Sequence, residues 1–185
     1  MRFTTLAFLV FFIAVYVVYW TVTGRTRLIF IFLASILFYA TWSVGFAIHF
    51  VSMVGFTYLI VKWMQKSSSS VAFYVGVIAN LGNLFLFKYF YLLLEILKDA
   101  TGSNIFKATE FNSWLFSRTG YDSIVLPLAI SFYTFVLVAY LFDVHRGIIK
   151  EKHSFLEFGV FAMYFPHLVA GPIIRHSDFF YQLGD

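Results

Sequence analysis

The sequence predicts an all-α protein, a polytopic transmembrane helical bundle with kinked or re-entrant helices. Three observations predict it. The chain is 61% hydrophobic and 23% aromatic, with 26 Phe and 12 Tyr, but only 12% charged, about half the charge of a soluble domain. That leaves too little polar surface to face water. The apolar residues gather in uncharged runs near the ~20 residues a helix needs to cross a bilayer core. One of those runs also carries prolines and a glycine where a simple membrane helix would not break itself.

Six hydrophobic segments follow in order: 3–22, 28–42, 46–61, 71–97, 124–142 and 155–174. The first is a 20-residue run, too long for the ~7–15-residue core of a signal peptide and without a small-residue cleavage site after it, so it reads as a retained helix. Gly24-Arg25-Thr26-Arg27 reads as a charged turn. Leu28–Val61 then runs 34 residues without a charge. It reads as two spans with a break at Ser43-Val44-Gly45, or as one tilted helix with a long overhang. Lys62–Ser70 ends in four serines and reads as a flexible polar loop. Segment 71–97 carries Lys88 inside it and Glu95 near its end. Lys98–Asp122 mixes charges with Phe106, Phe111, Trp114 and Phe116, which suits either a segment at headgroup level or a loop with aromatic anchors. Residues 1–185 show no repeat, second domain or heptad pattern and read as part of one transmembrane domain.

Loops 23–27, 62–70 and 143–153 carry Arg25, Arg27, Lys62, Lys66, Arg146, Lys150 and Lys152, against Arg2, Lys98, Lys107 and Arg118 on the other side. The richer side should be cytoplasmic, so the expected topology is multi-pass with the N-terminus outside the cytoplasm. The net charge of +4 fits this arrangement and is not a nucleic-acid signature, so no nucleic-acid partner is expected. Within these residues there is no cysteine, which excludes disulfides, zinc–thiolate sites and thiol nucleophiles. No metal site is expected.

Polar residues inside apolar runs are the candidate functional groups. Lys88 either snorkels to an interface marked by Tyr89 and Tyr91 or lines a polar cavity. Asn80 and Asn83 read first as hydrogen-bonding helix glue and second as part of a substrate path, and Ala72 and Gly76 form a small-xxx-small pair for close helix approach. His49 reads as a packing histidine. Asp143 and His145 lie two apart, which on a helix points them away from each other; they read as a charged helix end. In Phe165–Arg175, FPHLVAGPIIR, Pro166 and Pro172 remove backbone donors, and Gly171 loosens the chain. Broken backbone at membrane depth belongs in protein or against a cavity. Pro166, His167, Gly171, Pro172 and Arg175, with Lys88 and Asn80, are therefore the residues expected to shape a site; a plain proline-kinked helix is the competing reading.

FPHLVAGPIIR also resembles a signature of the membrane-bound O-acyltransferase family, in its alginate O-acetyltransferase-like branch. The block Leu126–Gly147, LPLAISFYTFVLVAYLFDVHRG, is similar to a second family pattern. Asn80-Leu81-Gly82 with Phe87-Lys88-Tyr89, and Ser35–Trp42, SILFYATW, resemble two earlier ones. The order and spacing agree over nearly the whole chain. The resemblance implies part of that fold and transfer of an acyl group, acetyl above all, to hydroxyls of an extracytoplasmic polysaccharide or cell-wall polymer. It implies a bacterial plasma-membrane location and an acyl donor, acetyl-CoA or an acyl-carrier protein, used as substrate with no tightly bound cofactor. The expected partners are the lipid bilayer, a C-terminal half of the enzyme and polysaccharide-processing proteins. The family's active-site histidine is expected downstream of Asp185, so no catalytic residue is assigned within 1–185, and this part alone is expected to be inactive. A transporter or a non-catalytic scaffold is the alternative, because discontinuous helices also occur in transporters; those usually show an internal repeat, which is not found in this sequence.

Overall fold

The computed structural model describes residues 6–67, 69–89, 92–93, 96, 99, 127–170, 176 and 179–180, with backbone alone for 168–170. Segment 98–122, apart from Asp99, lies outside these residues, as do Gly171, Pro172 and Arg175. Every regular element among the described residues is helical: α1 Leu6–Thr21, α2 Gly24–Ala40, α3 Val44–Ser67, α4 Ser70–Lys88, α5 Ile130–His145, α6 Phe155–Met163 and α7 Phe165–Ala170.

The turns differ from the sequence reading in instructive ways. Gly24–Arg27 is the first turn of α2 rather than a loop. The link is Val22-Thr23, and the chain reverses because Gly24 adopts φ +59°, a conformation open to glycine at little cost. The run 28–61 does divide, but at Thr41–Ser43, and Gly45 lies inside α3. Lys62–Ser67 is not loop but the last turns of α3, where Lys66 faces the negative end of the helix dipole. Ser69 caps α4 by accepting from the Ala72 N–H at 3.4 Å. The Asp-Val-His-Arg-Gly run is a helix stop: the Gly147 N–H donates to Val144 O, the Ile148 N–H to Asp143 O, and Gly147 takes φ +69°, the bonding of a Schellman cap. Ser154 and Glu157 start α6 with a reciprocal capping box.

Helix α3 is central and packs on α2, α4, α5 and α6, while α4 also packs on α5, and α2 on α6 and α7. Its inward stripe, Phe46, Phe50, Val54, Thr57, Val61 and Met64, repeats every three or four residues as one helix face must. The Ala72/Gly76 pair does serve close approach. A Cβ at Gly76 would lie 2.9 Å from both Ile60 of α3 and Leu141 of α5. Helices α3 and α4 are long and apolar enough to cross a membrane, and α1 and α5 are shorter apolar helices. Their outer faces expose Leu59, Ile78, Val44 and Leu6 at 64–77%, apolar surface that points to a membrane location.

Candidate functional site

The sixth hydrophobic segment is broken, and the break falls at Tyr164, whose ψ of 106° ends α6. Pro166 sits in the first turn of α7, where a missing N–H costs nothing, rather than inside a helix. At about 1.5 Å per residue, the nine residues of α6 span roughly 13 Å. Alone, α6 does not cross a bilayer core. The break frees the Phe165 N–H, buried and out of reach of water. It donates to Ser35 Oγ on α2 at 3.3 Å, and that hydroxyl in turn donates to Ile31 O at 2.8 Å. The Phe165 ring is clamped by Phe38 and Phe11, each 5.4 Å away between centroids. His167 stands edge-on to Tyr164 at 5.0 Å and to Phe179 at 6.0 Å.

One turn along α2, the buried Tyr39 hydroxyl donates to Leu128 O at 2.6 Å. It holds the start of α5, where Ala129 is left-handed at φ 56°, a conformation that costs an alanine about 1–2 kcal/mol. Tyr133 stacks on Phe50 with centroids 4.2 Å apart, and the Asn83 amide reaches its hydroxyl at 3.5 Å. Deeper between α3 and α4, Asn80 Nδ2 donates to Thr57 Oγ1 at 3.0 Å and to Gly76 O at 2.9 Å. Asn80, Thr57, Tyr133 and Thr134 are wholly buried. His49 lies within electrostatic reach of Asn83, yet its Nε2, like Thr134 Oγ1, is buried with no hydrogen bond of good geometry among the described residues. A buried unpaired polar group is costly, so this seam through α3, α4 and α5 keeps hydrogen-bonding capacity in reserve.

A second polar cluster lies beyond α5. His176 Nδ1 is 3.5 Å from Asp143 Oδ2, with poor alignment for a hydrogen bond. Asp143 thus faces His176, and His145 instead stacks flat on Phe73 at 4.2 Å. His153 stacks on Phe180 at 3.9 Å beside a cleft of about 550 Å³ that also borders Lys150, Glu151 and His176. Burial holds the His153 imidazole below its usual pKa, opposed by Glu157 and Glu151 and reinforced by His176. Among the described residues no group of three or more side chains comes together to hold a metal.

The expected site residues therefore occupy different parts of the fold. Asn80 belongs to the α3–α4 seam, Pro166 and His167 to the α2–α7 junction, and Lys88 is exposed at the end of α4 with its ammonium 5.4 Å from the Tyr89 ring. Ser35, Tyr39, Thr57 and His176 were missed. The available signal for the first two was a hydroxyl inside an apolar run, within SILFYATW. These hydrogen bonds join three of the four motif blocks in one place: Ser35 binds the Phe165 backbone, and Tyr39 binds that of Leu128. Asn83, three residues beyond Asn80, adds the fourth through Tyr133.

No family model matches the chain, and no solved structure is similar to it. It is 32% identical, over 184 aligned positions, to the probable alginate O-acetylase AlgI of Pseudomonas aeruginosa, covering 96% of this chain and 34% of that protein. It is 30% identical to the Azotobacter vinelandii protein of the same name, with 96% and 35% covered. It is 26% identical to the peptidoglycan O-acetyltransferase of Helicobacter pylori, with 83% and 32% covered. The chain spans about a third of the length of the curated relatives it matches. Over nearly all of its own length, and about a third of theirs, this chain is similar to alginate O-acetylases, and the fold draws together the motif blocks by which it resembles the alginate O-acetyltransferase-like branch of the membrane-bound O-acyltransferase family.

Proposed function

We propose that this chain is the N-terminal part of the transmembrane scaffold of an O-acyltransferase. The enzyme moves an acetyl group from a cytoplasmic donor, acetyl-CoA or an acyl-carrier protein, to hydroxyls of an extracytoplasmic polysaccharide or cell-wall polymer. The observation that carries this reading is the joining of the motif blocks by side-chain hydrogen bonds, one of which, from Phe165 N–H to Ser35, holds the broken helix, in a chain whose relatives are named for O-acetyl transfer. Broken backbone at membrane depth belongs in protein or against a cavity, and here the freed Phe165 N–H is buried and paired with Ser35. The seam of Asn80, Thr57, Asn83 and Tyr133 supplies further buried polar groups, linked to Tyr39 of α2 through the Phe50 ring.

In this reading the catalytic histidine comes from sequence outside residues 1–185. Its ordinary pKa of about 6.5 suits a general base at cellular pH. It takes the acceptor hydroxyl's proton, the oxygen bonds to the acyl carbon, and the donor's thiol leaves carrying a proton. The residues here position and do not perform that chemistry. The bundle sits multi-pass in the bacterial plasma membrane with its N-terminus outside and the helix ends and links at 23–27, 62–70 and 143–153 in the cytoplasm.

Deleting the full-length gene and measuring glycan O-acetyl content by NMR tests the activity. Acetylation should vanish while polymer export continues, and plasmid expression should restore it. Loss of export with acetylation intact on residual polymer would mean a transporter instead. Because residues 1–185 have no cysteine, Ser67→Cys in an otherwise cysteine-free full-length protein tests topology. It should react with a membrane-impermeant maleimide only after the cytoplasmic face is opened.

A further inference from the structure

A groove of about 220 Å³ runs along α1, lined only by apolar and aromatic side chains, among them Phe12, Tyr16, Tyr19, Trp20, Ile31 and Pro166. From Phe12 to Trp20 it follows eight residues of helix, about 12 Å. At its Tyr19–Trp20 end stands a cation. The Arg27 guanidinium lies 4.9 Å from the Tyr19 ring centroid and 5.9 Å from that of Trp20, and its Nε donates to Val22 O at 3.0 Å. Arginine is thereby pinned at the junction of α1 and α2 by two rings and a helix-end carbonyl. Residues 1–94 contain no Asp or Glu, so no carboxylate on α1 or α2 neutralises it. Glu157 of α6 acts on the neighbouring Arg25, and Arg27 is the cation beside the Tyr19–Trp20 end of the groove.

We propose that this groove is a binding site for one anionic phospholipid, with an acyl chain lying along α1 and the phosphate at Arg27. The occupant follows from the two ends of the groove. Ring faces and aliphatic side chains suit hydrocarbon and give water few partners, while a guanidinium offers a phosphate several donors in a planar fork. The α1–α2 junction at 23–27 belongs to the basic side of the chain, expected to face the cytoplasm, where anionic lipid draws basic residues to the surface. Pro166 forms part of the wall, so the bound chain would press on the broken helix itself. The proposal rests on the membrane reading above.

Native mass spectrometry of the full-length protein released from vesicles of equal dioleoylphosphatidylglycerol and dioleoylphosphatidylcholine tests it. The protein should retain phosphatidylglycerol several-fold over phosphatidylcholine. Arg27→Gln should bring the two to parity, Arg27→Lys should keep the preference, and Ile31→Trp should fill the groove and remove the retained lipid of either kind. Equal retention in the unaltered protein, or an Arg27→Gln variant that keeps the preference, overturns the site. So does a crosslink from Tyr16→Cys to another part of the protein or to a second copy, because protein would then cover the groove. Alkaline carbonate extraction separates the two ideas. Release from the membrane removes the membrane reading itself, whereas a membrane-retained protein without the preference removes only the lipid site.

Discussion

Ser35 makes one bond that the broken helix depends on. It is 1% exposed and accepts from the Phe165 N–H while donating to Ile31 O. Ser35→Ala strands a buried donor, which costs about 1–3 kcal/mol. Thermal unfolding of the full-length protein in detergent should show that loss, and O-acetylation should fall more than stability alone explains, because the Tyr164 break would shift. An unchanged melting temperature would mean that the Phe165 N–H finds another acceptor. Ala129 offers the opposite kind of test. Its left-handed backbone resists a β-branched side chain, so Ala129→Val should destabilise by about 1–3 kcal/mol while Ala129→Gly costs nothing measurable. Equal melting temperatures for the two variants would refute the strained geometry. Asn80 was legible as a helix-bonding amide because an amide in an apolar run needs partners. Ser35 was not, because a serine one hydrogen bond from its own helix looks self-satisfied until another chain segment donates to it.

At the level of elements, close approach and helix stops carry the arrangement. Gly76 lets α4 meet α3 and α5 at once, with Ile60 and Leu141 each 2.9 Å from where a Cβ would stand. Gly76→Leu should force these helices apart and reduce the folded yield in membranes. Retained folding, read by size-exclusion chromatography, would contradict the packing. Gly147 ends α5 at φ +69°, and Gly147→Ala should cost about 1 kcal/mol through the left-handed penalty, again read by thermal unfolding. Ala72/Gly76 spacing and the Asp-Val-His-Arg-Gly stop were visible in the sequence, because helical periodicity and glycine chemistry are local. The positions of the links were not. Four serines read as a loop, yet apolar residues Val61 and Met64 carry α3 through Ser67 against the bundle, and tertiary packing overrides local polarity.

Across the whole molecule, the His153 region ties three elements together. Tyr58 of α3 donates to His153 O, Gln65 donates to Glu151 O, and His153 stacks on Phe180. The groups facing its imidazole are Glu157, Glu151 and His176. Burial lowers the folded-state pKa, so the unfolded chain takes up the proton first. This contribution to stability is whole above the unfolded pKa of about 6.5 and is lost as pH falls below it. The melting temperature of the full-length protein should therefore drop between about pH 7 and pH 5.5, and His153→Gln should flatten that slope; an identical slope in the variant would remove His153 as its origin. By itself the sequence determined the helical class, the apolar segments, the motif blocks and through them the family resemblance, since composition, periodicity and short motifs are written in neighbouring residues. Only the tertiary structure decided that the helix breaks at Tyr164 and not at Pro166, that Ser35 and Tyr39 bind backbone of distant blocks, and that Asp143 faces His176 rather than His145. Those outcomes depend on which segments come together in space, and hydrogen bonds across 89 or 130 residues leave no periodic trace along the chain.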